Sequence, residues 1–219
     1  MIEPYYEKDG ITIYHGDCVE VLPELSQFDL LLTDPPYGMN LNTDNSRFSG
    51  GTKGNMAKLG NGIGTANGKP IANDDKPFEP AFMMDAARDK VIWGWNHFAE
   101  KLPSGSCLVW IKRNDDAFGS FLSDAEVAWK STGVGVFCRK DLSNNAIANT
   151  RVHPTQKPVG LMCWCLSMFP DAKTIIDPFM GSGTTLLAAK LEGRSAVGIE
   201  LDEKYCEIAA NRLAQGVLF

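Results

Sequence analysis

The chain has 219 residues, 44% of them apolar, which is enough to bury one substantial core and makes a single domain the expected organisation. Its formal net charge is −6 at pH 7, so any contact with nucleic acid must come from local basic segments. The chain opens Met-Ile-Glu-Pro, without the basic and apolar regions of a signal peptide, and no apolar run approaches the length of a membrane span. The six cysteines form no CxxC pair and the three histidines add no zinc spacing, so we expect reduced thiols, no metal and a cytoplasmic location.

Two short strands are predicted in the first part of the chain, and both end at acidic residues. Residues 11–15 alternate apolar and polar side chains and stop at Gly16-Asp17, and residues 18–25 predict a short helix. The apolar run 28–32 predicts a buried strand of a parallel sheet that ends at Asp34. Because open α/β sheets bind ligands at the carboxyl ends of their strands, we expect a site there.

The turn Asp34-Pro35-Pro36-Tyr37 combines a carboxylate, a fixed carbonyl and an aromatic ring. The two prolines fix φ and remove two backbone donors, so the Pro35 carbonyl is not used by a helix or a ladder. Asp34 and that carbonyl can each accept one N–H of an exocyclic amine, while Tyr37 stacks on the ring that carries it. These four residues could also form an ordinary Asp-Pro turn without a binding role.

Two segments of the chain are locally basic. Residues 46–73 hold seven glycines and four basic residues without an acid, and residues 139–157 hold four basic residues against Asp141. A long loop of this kind is either a simple insertion or a segment that becomes ordered on a polyanion. The basic residues are Arg47, Lys53, Lys58, Lys69, Arg139, Lys140, Arg151 and Lys157.

The middle of the chain predicts further sheet strands. Residues 78–88 are expected to form a helix, and residues 90–93 and 107–111 two buried strands joined by a helical piece at 95–102. Residues 126–130 and 135–139 have the pattern of a hairpin at the antiparallel edge of a mixed sheet. The aromatic residues Trp93, Trp95 and Phe98 are expected to belong mostly to the core.

The last third of the chain has the pattern of a βαβ nucleotide-binding unit. The segment His-Pro-Thr-Gln-Lys-Pro at 153–158 leads into an apolar helix at 159–168. A strand at 174–176 then runs into Asp177-Pro-Phe-Met-Gly-Ser-Gly-Thr-Thr185, followed by a helix at 186–191, a strand at 196–199 that ends at Glu200, and a helix at 203–213.

The ligand that this unit favours is a nucleoside with a cationic tail. Gly181 and Gly183 let the backbone approach a ligand, and Glu200 can accept both hydroxyls of a ribose. Leu186 stands where a dinucleotide fingerprint has its third glycine, and Thr184 stands where a P-loop has lysine. Asp177 would repel a pyrophosphate and attract an ammonium group. These features favour S-adenosylmethionine.

The two motifs, Asp34-Pro-Pro-Tyr37 and Asp177 to Thr185, resemble those of the amino-group DNA methyltransferases, and their order resembles the circularly permuted beta group. The resemblance implies an α/β, Rossmann-like fold with a twisted, seven-stranded mixed sheet and helices on both faces. Residues 11–15 would then lie beside residues 196–199. It implies a catalytic turn of Asp34, Pro35, Pro36 and Tyr37, and cofactor contacts from Asp17, Thr155, Lys157, Asp177, Phe179, Gly181, Ser182, Gly183, Thr184 and Glu200.

The resemblance also implies a reaction, namely direct in-line transfer of a methyl group from S-adenosylmethionine to N6 of a flipped adenine in DNA. N4 of cytosine has the same geometry, although the family leans to serine at position 34 for that target. The same architecture also modifies RNA bases or protein glutamine, usually with asparagine at that position. A catalytically idle cofactor-binding subunit of a larger complex stays open as well.

The expected partner is DNA, contacted by Arg47, Lys53, Lys58, Lys69, Arg139, Lys140 and Arg151, with no membrane association. A homodimer and a separate specificity or restriction partner stay open. Only the loops at about 44–75 and 139–152 are left for target recognition, so we expect one catalytic domain over 1–219 without a large separate recognition domain.

Overall fold

The structure is a computed structural model that describes residues 2–38, 76–119, 123–142 and 156–215. In these ranges the chain forms one mixed sheet whose strands lie in the order β1-β2-β9-β8-β3-β4-β6-β5-β7. The strands are β1 Tyr6–Lys8, β2 Ile11–His15, β3 Phe28–Thr33, β4 Ala87–Trp93, β5 Ser106–Ile111, β6 Ala125–Lys130, β7 Val136–Lys140, β8 Thr174–Asp177 and β9 Ser195–Glu200. The helices are α1 Cys18–Val21, α2 Val159–Ser167, α3 Thr184–Leu191 and α4 Glu203–Ala214.

The centre of the sheet is parallel and agrees with the predicted strands. β2 pairs with β9 from Ile11↔Ala196 to His15↔Glu200, which confirms that residues 11–15 lie beside residues 196–199. β9, β8, β3 and β4 continue the parallel arrangement. The carboxyl ends of these five strands therefore meet at one edge of the sheet, as expected for a ligand-binding α/β fold.

The expectation of seven strands is wrong, because the described residues form nine. The additional strand at one end is β1, which pairs antiparallel with β2 through a turn at Asp9-Gly10. An Asp-Gly pair between short strands is a strong hairpin signal, and the two residues have φ of 53° and 77°. At the opposite end, β6, β5 and β7 complete the sheet.

The predicted hairpin of residues 126–130 with 135–139 is also wrong. β5 lies between these two strands, pairing antiparallel with β6 and parallel with β7. The connection from β6 to β7 crosses the start of β5, where the Ser106 hydroxyl donates to the Thr132 carbonyl at 2.8 Å and accepts from the Gly135 amide at 3.2 Å. Strand pairing distant in sequence thus overrides the local hairpin pattern.

Helices and turns cover both faces of the sheet. Leu30 and Leu32 of β3 are buried under α2, α3 and α4, whereas Leu31 packs on the other face with α1 and the aromatic segments between β3 and β5. The predicted helix at 78–88 is wrong: Pro80–Met83 forms one 3-10 turn, and Ala87 already pairs with Phe28 in the sheet.

Further 3-10 turns lie at Leu22–Glu24, Trp95–His97, Ala99–Lys101 and Asp115–Ala117. The helical piece predicted at 95–102 is therefore two such turns. No helix in the described ranges is long and apolar enough to span a bilayer.

Candidate active site

The predicted acidic residues meet at the carboxyl edge of the parallel strands. Asp34 follows β3, Asp177 ends β8 and Glu200 ends β9, and these three strands are neighbours. The Thr33 hydroxyl donates to Asp177 Oδ1 at 2.7 Å, so the tips of β3 and β8 are joined directly. The sheet thus brings the two sequence motifs, which lie more than 140 residues apart, into one site.

Asp34 is held by two donors, one on each carboxylate oxygen. The Tyr37 hydroxyl donates to Oδ1 at 2.6 Å and the Lys157 ammonium donates to Oδ2 at 2.5 Å. Lys157, which the family resemblance assigns to the cofactor, therefore contacts the proposed catalytic carboxylate. Its side chain is only 5% exposed, and its Nζ also lies 5.3 Å from the centre of the Trp93 ring.

A second acid, Glu126 of β6, balances the charge of Lys157. Its Oε2 lies 3.1 Å from Lys157 Nζ, and its Oε1 accepts a hydrogen bond from Lys112 at 2.7 Å. Burial alone would lower the pKa of Lys157, but the charges of Asp34 and Glu126 raise it well above its usual value. Burial would likewise raise the pKa of Glu126, but Lys157 and Lys112 bring it down to about 2.

Tyr37 is packed between the backbone of Gly94, just after β4, and a histidine. Its ring stacks on His97 with centroids 4.9 Å apart and planes 15° apart. On another side it lies so near Gly94 that a Cβ there would sit 1.9 Å from Tyr37 Cε1. Burial and the nearby Asp34 raise the pKa of Tyr37 well above its usual value, so its hydroxyl stays protonated and donates to Asp34.

Asp177 is a buried acid with internal partners. It is 3% exposed, and its Oδ1 accepts from the Thr33 hydroxyl and from the Phe179 amide at 3.1 Å. Burial raises its pKa to about 6, against the opposing effect of its hydrogen bonds to Thr185 and Thr33. Its side chain therefore fixes the motif and joins it to β3.

The loop after Asp177 folds back onto the end of β9. The Gly181 amide donates to Glu200 Oε2 at 3.0 Å, and the Asp202 amide donates to Oε1 at 2.8 Å. Gly183 has φ of 77°, and a Cβ there would lie 2.8 Å from the Cβ of Ala209, so only glycine lets α3 start this close to α4. Burial raises the pKa of Glu200.

The remaining predicted cofactor residues divide into two groups. Asp17 lies beside the tip of β9, because the Gly16 amide donates to the Glu200 carbonyl, and its carboxylate caps α1 through the Val19 amide at 2.9 Å. The others lie along the loop and its helix: Thr184 begins α3, the Ser182 carbonyl and hydroxyl both contact the Arg212 guanidinium, and Phe179 packs edge-on against Phe78 and Phe82. The side chains of this second group thus shape the loop.

Only two of the predicted DNA-binding residues fall in the described ranges. Arg139 and Lys140 end β7, at the same edge of the sheet as Asp34. Lys140 contacts exposed Asp115 at 2.5 Å, and Arg139 lies 3.7 Å from Asp141. Arg47, Lys53, Lys58, Lys69 and Arg151, together with the predicted cofactor residue Thr155, lie outside the described residues.

Three residues at the site were not predicted from the sequence. Glu126 and Lys112 lie on or beside strands whose local pattern contains no sign of a site, and His97 belongs to a segment whose pattern indicates only packing. Their roles depend on contacts with Lys157 and Tyr37, which are distant in sequence. In the described ranges, no three His, Cys, Asp or Glu side chains are arranged to hold a metal ion.

The sequence matches known DNA methyltransferases. The model of the N6/N4 methyltransferase family, described as DNA methylase, matches residues 109–211. The type II methyltransferase M.ScaI of Streptomyces caespitosus is 27% identical over an alignment of 259 residues, covering 96% of this chain and 84% of M.ScaI. M2.LlaDCHI of Lactococcus lactis subsp. cremoris, also a type II methyltransferase, is 23% identical, covering 100% of this chain and 95% of that protein.

Solved structures share the fold. M1.HpyAVI in complex with SAM has a TM-score of 0.60 at 21% identity, covering 92% of this chain and 99% of that one. The PvuII DNA methyltransferase, which is cytosine-N4-specific, has a TM-score of 0.64 at 15% identity, covering 100% of this chain and 91% of that one. At these identities the likeness is one of fold.

Proposed function

We propose that this protein transfers a methyl group from S-adenosylmethionine to the exocyclic amino group of a base in DNA, with N6 of adenine as the target. The observation that carries the proposal is the carboxylate of Asp34. It is oriented by Tyr37 and Lys157 at a strand tip that Thr33 joins directly to the Asp177 motif. A target-binding acid and a cofactor loop side by side are what a direct transfer requires.

The cofactor side of the site fits a nucleoside. Glu200 accepts one amide on each oxygen, and a carboxylate has about four acceptor positions, so capacity remains for ribose hydroxyls. Gly181 keeps the loop free of a side chain that would block a close approach, and Gly183 lets α3 start directly after it. Asp17, at the neighbouring tip of β2, is proposed to contact the adenine of the cofactor. When bound, S-adenosylmethionine supplies an electrophilic methyl group.

The target side fits an amine. The lone pair of an exocyclic amino group is delocalised into its ring, which makes the nitrogen a poor nucleophile. By accepting both N–H groups, Asp34 and the Pro35 carbonyl would favour a pyramidal nitrogen with its lone pair available. Tyr37 and Lys157 use one acceptor position on each oxygen of Asp34, and the remaining positions can bind the amine. Positioning and electrostatics then supply most of the rate acceleration.

We also infer the circularly permuted order of the beta group within a single catalytic domain. In support, the catalytic motif follows β3, early in the chain, and the cofactor motif follows β8, late in the chain. β2, from the start of the chain, pairs with β9, from its end, so the two ends of the chain build one half of the sheet.

Adenine is preferred over cytosine because of Asp34. Both bases present two amino hydrogens, so the acceptor geometry does not choose between them, and the preference comes from the resemblance at position 34. The PvuII enzyme, cytosine-N4-specific, shares the fold and keeps the second target open. In both cases the base must leave the duplex before its amino group can reach Asp34.

A catalytically idle cofactor-binding subunit is the second candidate function. An idle subunit would not need a partly buried ion pair at the catalytic turn. Lys157 and Asp34 do form such a pair, with Glu126 as its support, which favours an active enzyme. Replacing both members of such a pair with apolar residues is often neutral or stabilising, so a chain that no longer used the pair would have no reason to keep it.

Nucleoside analysis tests the product. Unmethylated DNA is incubated with the protein and methyl-labelled S-adenosylmethionine, digested to nucleosides and examined by mass spectrometry. We expect labelled N6-methyladenine. Label only in N4-methylcytosine would overturn the choice of base and leave the reaction class standing. Cofactor binding by calorimetry without transfer to any DNA would favour the idle subunit.

A further inference from the structure

Four charged side chains form an alternating row that ends at the proposed catalytic acid. In order they are Lys112, Glu126, Lys157 and Asp34, and the three contacts between them measure 2.7, 3.1 and 2.5 Å. The Tyr37 hydroxyl completes the row on the far oxygen of Asp34. The charges alternate in sign and sum to zero, which lets them be held together in a partly buried place.

Lys157 is the centre of this row, and it is too deeply buried to act as a surface charge. It is 5% exposed, its ammonium contacts both carboxylates, and the Trp93 ring lies beneath it. A lysine buried without such partners would lose its proton. The two acids keep it charged, so it remains a cationic donor to Asp34 at neutral pH.

We propose that Lys157 is a positioning residue for the Asp34 carboxylate, and that Glu126 acts through Lys157 by holding its ammonium in place. The inference rests on the proposed function and departs from the sequence-based assignment of Lys157 to the cofactor. Lys157 and Tyr37 pin the two oxygens, which leaves the carboxylate one orientation in which to receive an amine. Glu126 prevents Lys157 from shifting, and Lys112 holds the other oxygen of Glu126.

Methyl-transfer kinetics of four variants test this chain of contacts. For Lys157→Met we expect kcat to fall about 100-fold, because a charged donor to the reacting site is lost. For Glu126→Gln we expect a fall of about tenfold, because the donor is kept but held loosely. The double variant should fall no further than Lys157→Met, since Glu126 acts only through Lys157. Lys157→Arg keeps the charge and should recover activity to within about tenfold of the wild type.

Cofactor affinity, measured by calorimetry, separates positioning from cofactor binding. We expect the Kd for S-adenosylmethionine to change less than about threefold in all four variants, a difference below about 0.7 kcal/mol. Lys190→Met with Asp9→Asn is the matched control, because it removes another lysine–aspartate pair of 3.3 Å, located far from the strand tips. Its kcat should equal that of the wild type.

The cofactor affinity and the double variant decide between the possible roles of Lys157. A Kd that rises in parallel with the loss of activity for Lys157→Met would return Lys157 to the cofactor site and overturn the inference. Multiplying losses in the double variant would overturn the dependence of Glu126 on Lys157. If Lys157→Met does not fold, Glu126→Gln and Lys157→Arg carry the test, and an unchanged kcat in Glu126→Gln overturns it. A wild type without transfer on any DNA would defeat the proposed function itself.

Discussion

The carboxylate of Asp177 is buried where the neighbouring strands β3 and β8 end, and it accepts hydrogen bonds from the Thr33 hydroxyl and the Phe179 amide. Its pKa of about 6 is far above its usual value, because burial disfavours the charged form. At neutral pH the ionised acid therefore destabilises the folded chain. A buried acid that is retained at such a cost is typical of a functional site.

Replacing Asp177 with asparagine should stabilise the protein at pH 7. The folded state holds a proton on Asp177 between about pH 4 and 6, where the unfolded chain does not, so the contribution of this residue to stability falls as the pH rises through that window. The free energy of unfolding of Asp177→Asn should exceed that of the wild type by up to about 3 kcal/mol at pH 7, with no difference near pH 4. Urea unfolding across this range checks it. A variant that is less stable at every pH would mean that the ionised form is favourable.

Glu126 has the opposite effect on stability, because its ionised form stabilises the folded chain. Its folded pKa, about 2, is below its usual value, so its stabilising contribution is present above about pH 4.5 and is lost as the pH falls toward 2. Glu126→Gln should lower the free energy of unfolding by about 2 kcal/mol at pH 7, a value reduced for the partial exposure of the side chain. The same urea series, extended to pH 3, should show the two proteins converging. A constant gap would exclude ionisation as the cause.

Asp34 and Glu200 should have separate roles. Asp34→Ala should abolish methyl transfer and leave cofactor affinity nearly intact, because the carboxylate is proposed to bind the target amine and to make no contact with the cofactor. Glu200→Ala should weaken cofactor binding by about 1–3 kcal/mol, because a buried polar partner is lost and the Gly181 amide is released. Calorimetric titration with S-adenosylmethionine decides between them. Loss of cofactor binding in the Asp34 variant, with Glu200→Ala neutral, would mean that the two motifs have been assigned in reverse.

At the scale of elements, the parallel centre of the sheet could be predicted and its edges could not. β3 and β8 are short apolar runs buried on both faces, and each stops at an Asp-Pro pair, so sequence pattern and burial agree. β5 lies between β6 and β7 because it pairs with strands that are distant in sequence, and such pairings cannot be predicted from a local pattern. The same holds for the contact of Lys157 with Asp34, 123 residues apart.

Gly94, which lies between β4 and the 3-10 turn Trp95–His97, should not tolerate a side chain. Its φ is 73°, and a Cβ would lie 1.9 Å from Tyr37 Cε1. Gly94→Ala should destabilise the protein by at least about 2 kcal/mol and lower kcat, because Tyr37 must leave Asp34. Gly193→Ala is the control, since Gly193 has a similar φ of 67° and open space around it. It should cost about 1 kcal/mol and keep full activity. Equal losses of activity in both would show that backbone strain alone is responsible.

At the scale of the whole molecule, a chain of net charge −6 must bind DNA through a restricted surface. β7 lies four strand positions from β3, about 19 Å across the sheet, and both strands end at the same edge. Arg139 and Lys140 at the end of β7 are therefore at a distance from Asp34 close to the width of a duplex. Lys140 pairs with an exposed aspartate, a weak interaction that a phosphate can replace.

Removing these two charges should therefore make DNA binding less dependent on salt. Each phosphate contact contributes a slope of about −0.9 to the plot of log K against log salt, so Arg139→Ala with Lys140→Ala should make it shallower by about two units, whatever the DNA sequence. Arg88→Ala with Lys90→Ala removes the same charge from the first half of β4, nearer the opposite edge of the sheet, and should leave the slope unchanged. Fluorescence anisotropy from about 50 to about 300 mM salt measures the wild type and both double variants.

Lys53→Ala with Lys58→Ala, in the basic segment 46–73, completes the series. If only that pair alters the slope, the duplex is held by the segment after the catalytic turn, and β7 lies outside the DNA contact. If the β4 pair alters it equally, the effect is one of net charge, and neither edge of the sheet is singled out as the DNA-binding surface.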